Sequence, residues 1–184
     1  MQKHTAHTAS PIQLLPSSNA LSAFRIARLL TRLQAHHPAL TGLQVHDFFM
    51  VAGEAPLADL RQLLGDGSAS LPQGSHVLYI VPRLGTVSPW SSKATDIARV
   101  CGLTGVQRIE LGRVVELVGH TGSLSAEALS SLHDPMMESV LTDASELAHV
   151  FATQARRPLR TVDVLQGGIG ALHEANREWG LALS

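Results

Sequence analysis

The apolar run Val77-Leu78-Tyr79-Ile80-Val81 stops at Pro82, and the segment beyond that proline constrains the fold more than any other part of the chain. Polar alternation is absent from the run, so it reads as a strand buried on both faces. The next residues, Arg83-Leu84-Gly85-Thr86-Val87-Ser88-Pro89-Trp90-Ser91-Ser92-Lys93, combine proline, glycine, hydroxyls, two cations and a tryptophan. A helix is expected to open near Ser91 and run to Cys101, with Ala94, Ile97, Ala98 and Cys101 facing inward and Gly102 closing it. Strand, stiff hydroxyl-rich loop and helix start in succession make a segment built to hold one shape against something.

The same reading extends in both directions. Ala23, Ile26, Leu30 and Leu33 recur at helical spacing, giving a helix from Asn19 to His37 capped by Ser18 or Asn19 and ended by Pro38. Leu43 to Ala52 reads as a strand, and Pro56 to Leu64 as a short helix stopped by Gly65. Val106–Glu110 and Arg113–Val118 read as two strand pieces, with Gly112 marking a hairpin or bulge. Ser125 is a cap for a helix carrying Leu129 and Leu132, and Pro135 fits either a new helix capped by Asp134 or a kink on a helical path toward Phe151. Thr161–Leu165 reads as a short strand, and Ile169 to Leu183 as mostly helical with a break at Gly180. Alternating short helices and strands predict an α+β fold with an antiparallel sheet and helices packed on one side. The similar element order of residues 19–65 and 76–141 points to a ferredoxin-like pseudo-repeat. Residues 1–18 read as a flexible tail, 19–142 as the α+β domain, and 143–184 as the start of a linker region.

A chain of 184 residues that is 45% hydrophobic and only 16% charged can bury a sizeable core. Its low charge fits either partial coverage by partner protein or an alanine- and leucine-rich monomer. A net charge of −1 without a basic block does not point to nucleic acid or an anionic membrane, and the triplet Arg156, Arg157, Arg160 reads as a solvated linker face. With Cys101 as the only cysteine, no intrachain disulfide forms, which suits a reducing cytoplasm. No apolar stretch is long enough for a membrane span.

For chemistry, the loop from Arg83 to Lys93 stands out. Free amides at the helix start, the hydroxyls of Thr86, Ser88, Ser91 and Ser92, and the charges of Arg83 and Lys93 are the ingredients of a phosphate or carboxylate site. The plain alternative is that the hydroxyls cap the helix and shape the turn while Trp90 wedges into a neighbouring domain. Gly167-Gly168-Ile169-Gly170 lacks dinucleotide spacing and reads as a flexible strand-to-helix turn. Cys101 sits at a helix C-terminus, where the dipole disfavours a thiolate, and reads as a buried structural residue. The ten histidines include no metal-binding spacing, and no Gly-x-Ser-x-Gly elbow occurs.

The run Pro82–Ala98 followed by Cys101-Gly102-Leu103, and the stretch Leu132-His133-Asp134-Pro135-Met136-Met137-Glu138-Ser139-Val140, resemble signatures in the N-terminal region of large single-chain phosphoribosylformylglycinamidine synthase. Leu84, Arg99-Val100 and Pro135 depart from the family pattern. The resemblance covers about residues 19–184. It implies a small-subunit-like domain whose halves mimic a dimer of the separate small subunit, followed by part of a linker. It also implies a cytoplasmic parent ligase of purine biosynthesis that hydrolyses glutamine and uses ATP and Mg2+ in a synthetase domain lying outside this chain. The chain itself is then expected to be catalytically silent, to hold no metal or cofactor, and to have the synthetase and glutaminase domains as partners. Alone, it is expected to self-associate through exposed apolar surface. The alternative is a stand-alone ferredoxin-like module binding a small anion at residues 83–93. If the resemblance holds, an antibody to this chain should detect a native polypeptide several times larger than 19.6 kDa; a native product of that size would point to a separate subunit or sensor.

Overall fold

The computed structural model describes residues 12–19, 21–65, 67, 71–72, 76–119, 122–152 and 159–183. In chain order the first part contains β1 (Ile12–Pro16), α1 (Ala23–Gln34), β2 (Gly42–Gly53), α2 (Leu57–Leu64), β3 (Val77–Pro82), α3 (Pro89–Val100), β4 (Val106–Val118), α4 (Ala126–Leu132), β5 (Glu138–Leu141) and the 3-10 helix η1 (Ala144–Phe151). The strands form one antiparallel sheet in the order β1-β2-β4-β3-β5. The fold is therefore α+β, as the alternation of patterns predicts.

The ladder between β2 and β4 is the spine. It runs in regular register from Gly42↔Val118 to Ala52↔Arg108, with an irregularity only at Ala52/Gly53. Paired residues share a face, so the sheet sorts its side chains cleanly. Val45, Phe49 and Val51 of β2 and Ile109, Val115 and Leu117 of β4 look toward the α-helices. Phe48, Met50 and Val114 look the other way, where Leu147 and Val150 of η1 cover them. Each large side chain withdrawn from water in this way stabilises the fold by about 1.5–3 kcal/mol.

The α-helices fall into two pairs. Leu33 of α1 and Ala128 and Leu132 of α4 share one cluster over the sheet. Leu60 of α2 and Ala98 of α3 share the second. The two successions β1-α1-β2-α2 and β3-α3-β4-α4 thus meet back to back at the β2–β4 ladder, and the repeat suspected from element order is visible in the topology. The starts of α1, α3 and α4 are fixed in one way. The Ser22, Ser88 and Ser125 hydroxyls each accept from the amide three residues onward, and Pro89 occupies the first turn of α3, where its missing N–H costs nothing. The backbone N–H of Ser125 donates to His37 Nε2 at 3.0 Å, tying the end of α1 to the start of α4.

Several expectations are corrected. Ile12–Pro16 are not tail but pair with Phe48–Ala52 as an edge strand; residues 1–11 lie outside the described residues. The cap of α1 is Ser22 rather than Ser18 or Asn19, and α3 opens at Pro89 rather than Ser91. Residues 106–118 form one unbroken strand. Gly112 marks no hairpin: it lies opposite Phe48, and a Cβ there would meet the Phe48 ring at 2.9 Å. The path after Pro135 is a turn, then β5, then η1, not a continuous helix. Capping by Asp143 and Glu146 sets η1, and hydrogen bonds from Ser145 hold the Asp143 carboxyl below the usual carboxylate range. η1 packs on the sheet, and the chain divides into two compact units at 153/154.

The second unit, residues 154–184, is described from Leu159. The strand expected at Thr161–Leu165 is absent. Asp163 instead caps α5 (Val164–Trp179), whose backbone departs from helix at Gly168 (φ 59°, ψ −158°) and ends at the left-handed Gly180. Gly167–Gly170 therefore belong to a kinked helix rather than to a strand-to-helix turn. The Arg160 guanidinium lies 5.3 Å from the Trp179 ring centre. Arg156 and Arg157, like the linker reading of residues 155–158, lie outside the described residues.

Because Gly112 makes room for Phe48, Gly112→Ala should lower unfolding free energy by about 1–3 kcal/mol in urea titration, and the further change Phe48→Leu should recover part of the loss.

Candidate functional site

Beyond Ile80, β3 and β4 part company. Their pairing ends at Ile80↔Arg113, while β3 continues to Pro82 against β5. A cleft of about 210 Å³ opens at the separation, lined by Ile80, Pro82, Leu111, Arg113, Asp47 and Met137, among others. On its wall Arg113 Nε donates to Asp47 Oδ1 at 3.1 Å, with both side chains partly shielded from water. This pair stands at the middle of the β2–β4 ladder.

The loop predicted as a site forms the cleft's border, and its bonds explain its shape. The backbone N–H of Thr86 donates to the Arg83 carbonyl at 3.1 Å across a turn with Gly85 at φ 81°, a conformation that favours glycine. The Thr86 hydroxyl donates to the same carbonyl at 2.6 Å. The Arg83 amide donates to the Met137 carbonyl at 2.9 Å, and its guanidinium reaches the Met136 carbonyl at 3.5 Å. Arg83 and Thr86 thus bind the loop to itself and to the segment before β5.

Ser88 belongs to a buried charge network. Its hydroxyl accepts from the Ser91 amide at 3.0 Å and donates to Glu110 Oε2 at 2.7 Å, while its own amide donates to Glu110 Oε1 at 3.3 Å. Glu110 is wholly buried. Its counter-charge is Arg108, whose Nε donates to Oε1 at 2.9 Å and whose Nη2 contacts the same oxygen. Arg108 also donates to the Thr86 carbonyl at 2.7 Å and the Val150 carbonyl at 3.1 Å, and lies 5.4 Å from the Phe151 ring centre. The carboxylate supplies negative charge at the positive end of α3, so the helix start is served from within. One turn further along α3, the buried Thr95 hydroxyl accepts from the Ile109 amide at 3.0 Å and fastens the helix to β4.

The other predicted residues divide. Trp90 stacks on Phe49, with centroids 5.8 Å apart and planes at 15°, and stays 39% exposed. Ser91 is buried, and its hydroxyl has no partner among the described residues. Ser92 and Lys93 are exposed. Cys101 is exposed at the end of α3, not buried, because the inward stripe of this helix runs through Ser91, Thr95 and Ala98. Ile97, expected inside, is exposed for the same reason. Hydrophobic patterning singles out neither Glu110 nor Arg108. The signal that could have found them is their spacing: residues two apart on a strand share a face, so an Arg and a Glu two apart inside an apolar run announce a pair.

Among the described residues, no three His, Cys, Asp or Glu side chains converge to hold a metal ion, and no helix is long and apolar enough to cross a membrane. Comparison with known families matches residues 48–151 to the family described as formylglycinamide ribonucleotide amidotransferase N-terminal. The matched segment contains β3, the loop, α3, β4 and η1, and spans more than half of the chain.

Removing one partner of a buried pair leaves an uncompensated charge. Arg108→Met should therefore cost about 3–5 kcal/mol of stability in denaturant unfolding, and the double change Arg108→Met/Glu110→Leu should recover most of it.

Proposed function

Since the chain belongs to the formylglycinamide ribonucleotide amidotransferase N-terminal family, we propose that it is the docking domain at the front of a phosphoribosylformylglycinamidine synthase. In this reading the parent enzyme, a ligase, converts formylglycinamide ribonucleotide to the amidine with ammonia released from glutamine. ATP and Mg2+ act in a synthetase domain outside this chain. The chain packs on that domain, completes one wall of the active-site region and helps couple it to the glutaminase, in the cytoplasm.

The observation that carries the proposal is the rim of the cleft. Trp90 caps Phe49; Phe49 lies opposite Leu111 in the ladder; Leu111 and Met137 line the same opening. Trp90, Leu111 and Met137, with Val87 beside Ser88, all keep exposed surface. A partly exposed tryptophan on a rigid support is the type of residue that dominates interface energetics. The loop's polar groups meanwhile are largely spent on holding its shape. A small anion at the start of α3 would face the Glu110 carboxylate, so docking is favoured over a stand-alone anion sensor, with Arg83, Thr86, Ser88, Ser91, Ser92 and Lys93 as the frame and flank of the docking loop.

In the intact enzyme, Trp90→Ala should weaken docking by about 2 kcal/mol and lower glutamine-dependent turnover. Turnover and thermal stability equal to wild type would remove the idea, and low-micromolar phosphate or nucleotide binding to this chain in calorimetry would favour the sensor.

A further inference from the structure

Arg108 touches three separate parts of the chain, and the docking reading alone does not require that. We infer that Arg108 is a positioning residue that makes the shape of the 83–88 loop and the start of α3 depend on where the chain leaves the sheet, at Val150 and Phe151. The inference rests on the docking reading for its consequence, although its physical content does not.

The guanidinium is a rigid planar fork, so its donors cannot be redirected one at a time. One edge holds Glu110 and the Thr86 carbonyl; Nη1 holds the Val150 carbonyl, and the Phe151 ring lies against the group. Displacing Val150–Phe151 therefore turns the whole plane. Arg108 cannot answer by swinging into water, because Glu110 is wholly buried and would be left unpaired. The turn reaches the loop by two arms. One is direct, through Thr86. The other passes through Glu110 to the Ser88 hydroxyl, and from there to the Ser91 amide in the first turn that carries Trp90. In sequence, Val150 and Phe151 stand just before the boundary between the two units, at 153/154. A displacement of Val150–Phe151 is thereby felt at the docking tryptophan.

The test uses the 184-residue chain with Trp179→Phe, which leaves Trp90 as the sole tryptophan. Hydrogen exchange of the Trp90–Ser92 amides and Trp90 emission are measured in three variants. Phe151→Leu keeps apolar bulk but removes the ring under the cation, Phe151→Tyr keeps the ring, and Arg108→Lys keeps the charge but loses the fork. Phe151→Leu is expected to speed Ser91 amide exchange about fivefold, the change that loss of a cation–π contact allows, Arg108→Lys to speed it at least as much through loss of the fork, and both to shift Trp90 emission. Phe151→Tyr is expected to restore both, with β2–β4 ladder amides unchanged throughout. The inference is overturned if Phe151→Leu matches wild type, whatever Arg108→Lys does. It is equally overturned if ladder amides accelerate in step with Ser91, which would make Phe151 a general packing residue. Failure of docking is read separately: Trp90→Ala without effect in the intact enzyme, alongside a positive exchange result, would leave the coupling standing and remove its partner.

Discussion

A single carboxylate, buried without access to water in the middle of the sheet, organises much of what surrounds it. Glu110 carries a charge that the interior tolerates only when paired and hydrogen-bonded. Its two oxygens receive Arg108 from the same strand and the amide and hydroxyl of Ser88 from the loop. These requirements place the loop: Ser88 must stand over β4, so Pro89 and Trp90 must begin α3 there, and Trp90 reaches Phe49. Thr95 and Ala98, further along the helix, complete the attachment. The stiffness attributed to prolines and hydroxyls is therefore supplied in large part by a neighbouring strand.

The sheet on which this rests has a division of labour. The long β2–β4 ladder carries paired helices on one face and η1 on the other. β3 pairs with β4 only through Val77–Ile80, while β5 holds its opposite edge from Tyr79 to Pro82, and the cleft opens where the β3–β4 pairing ends. The exposed rim is thus a product of topology: helices cover the two flanks, and the β3–β4 ladder stops short of the residues that line the opening.

What was legible in the sequence was local. β2, α2, the buried β3, the cap at Ser125 and the strand–loop–helix order around Pro82 are written in hydrophobic periodicity and capping chemistry, which neighbours in sequence determine. The loop's place between strand and helix was legible for the same reason. What escaped depends on distant partners. β1 and β5 are short edge strands, and Ile12–Pro16 is a strand only because Phe48–Ala52 lies beside it. Gly112 looked like a break because its reason, the Phe48 ring, lies across the ladder. The inward stripe of α3 escapes apolar counting because Thr95 is buried to accept from the Ile109 amide. Cys101 falls outside that stripe and is exposed. Glu110 was hidden by the ordinary assumption that a charged residue on a strand faces water.

Asp47 against Arg113, at the middle of the ladder, bears on how such a sheet can arise. If the two β-α-β-α halves were separate identical chains joined by a twofold axis through this ladder, the residue on the axis would face its own copy. Aspartate would meet aspartate, or arginine arginine, and like charges directly opposite destabilise a strand pair. Opposite charges at that point are open only to halves that differ. Joining the halves in one polypeptide frees the axial position to diverge, and the ion pair there is a form of complementarity that a symmetric assembly is denied by its own symmetry.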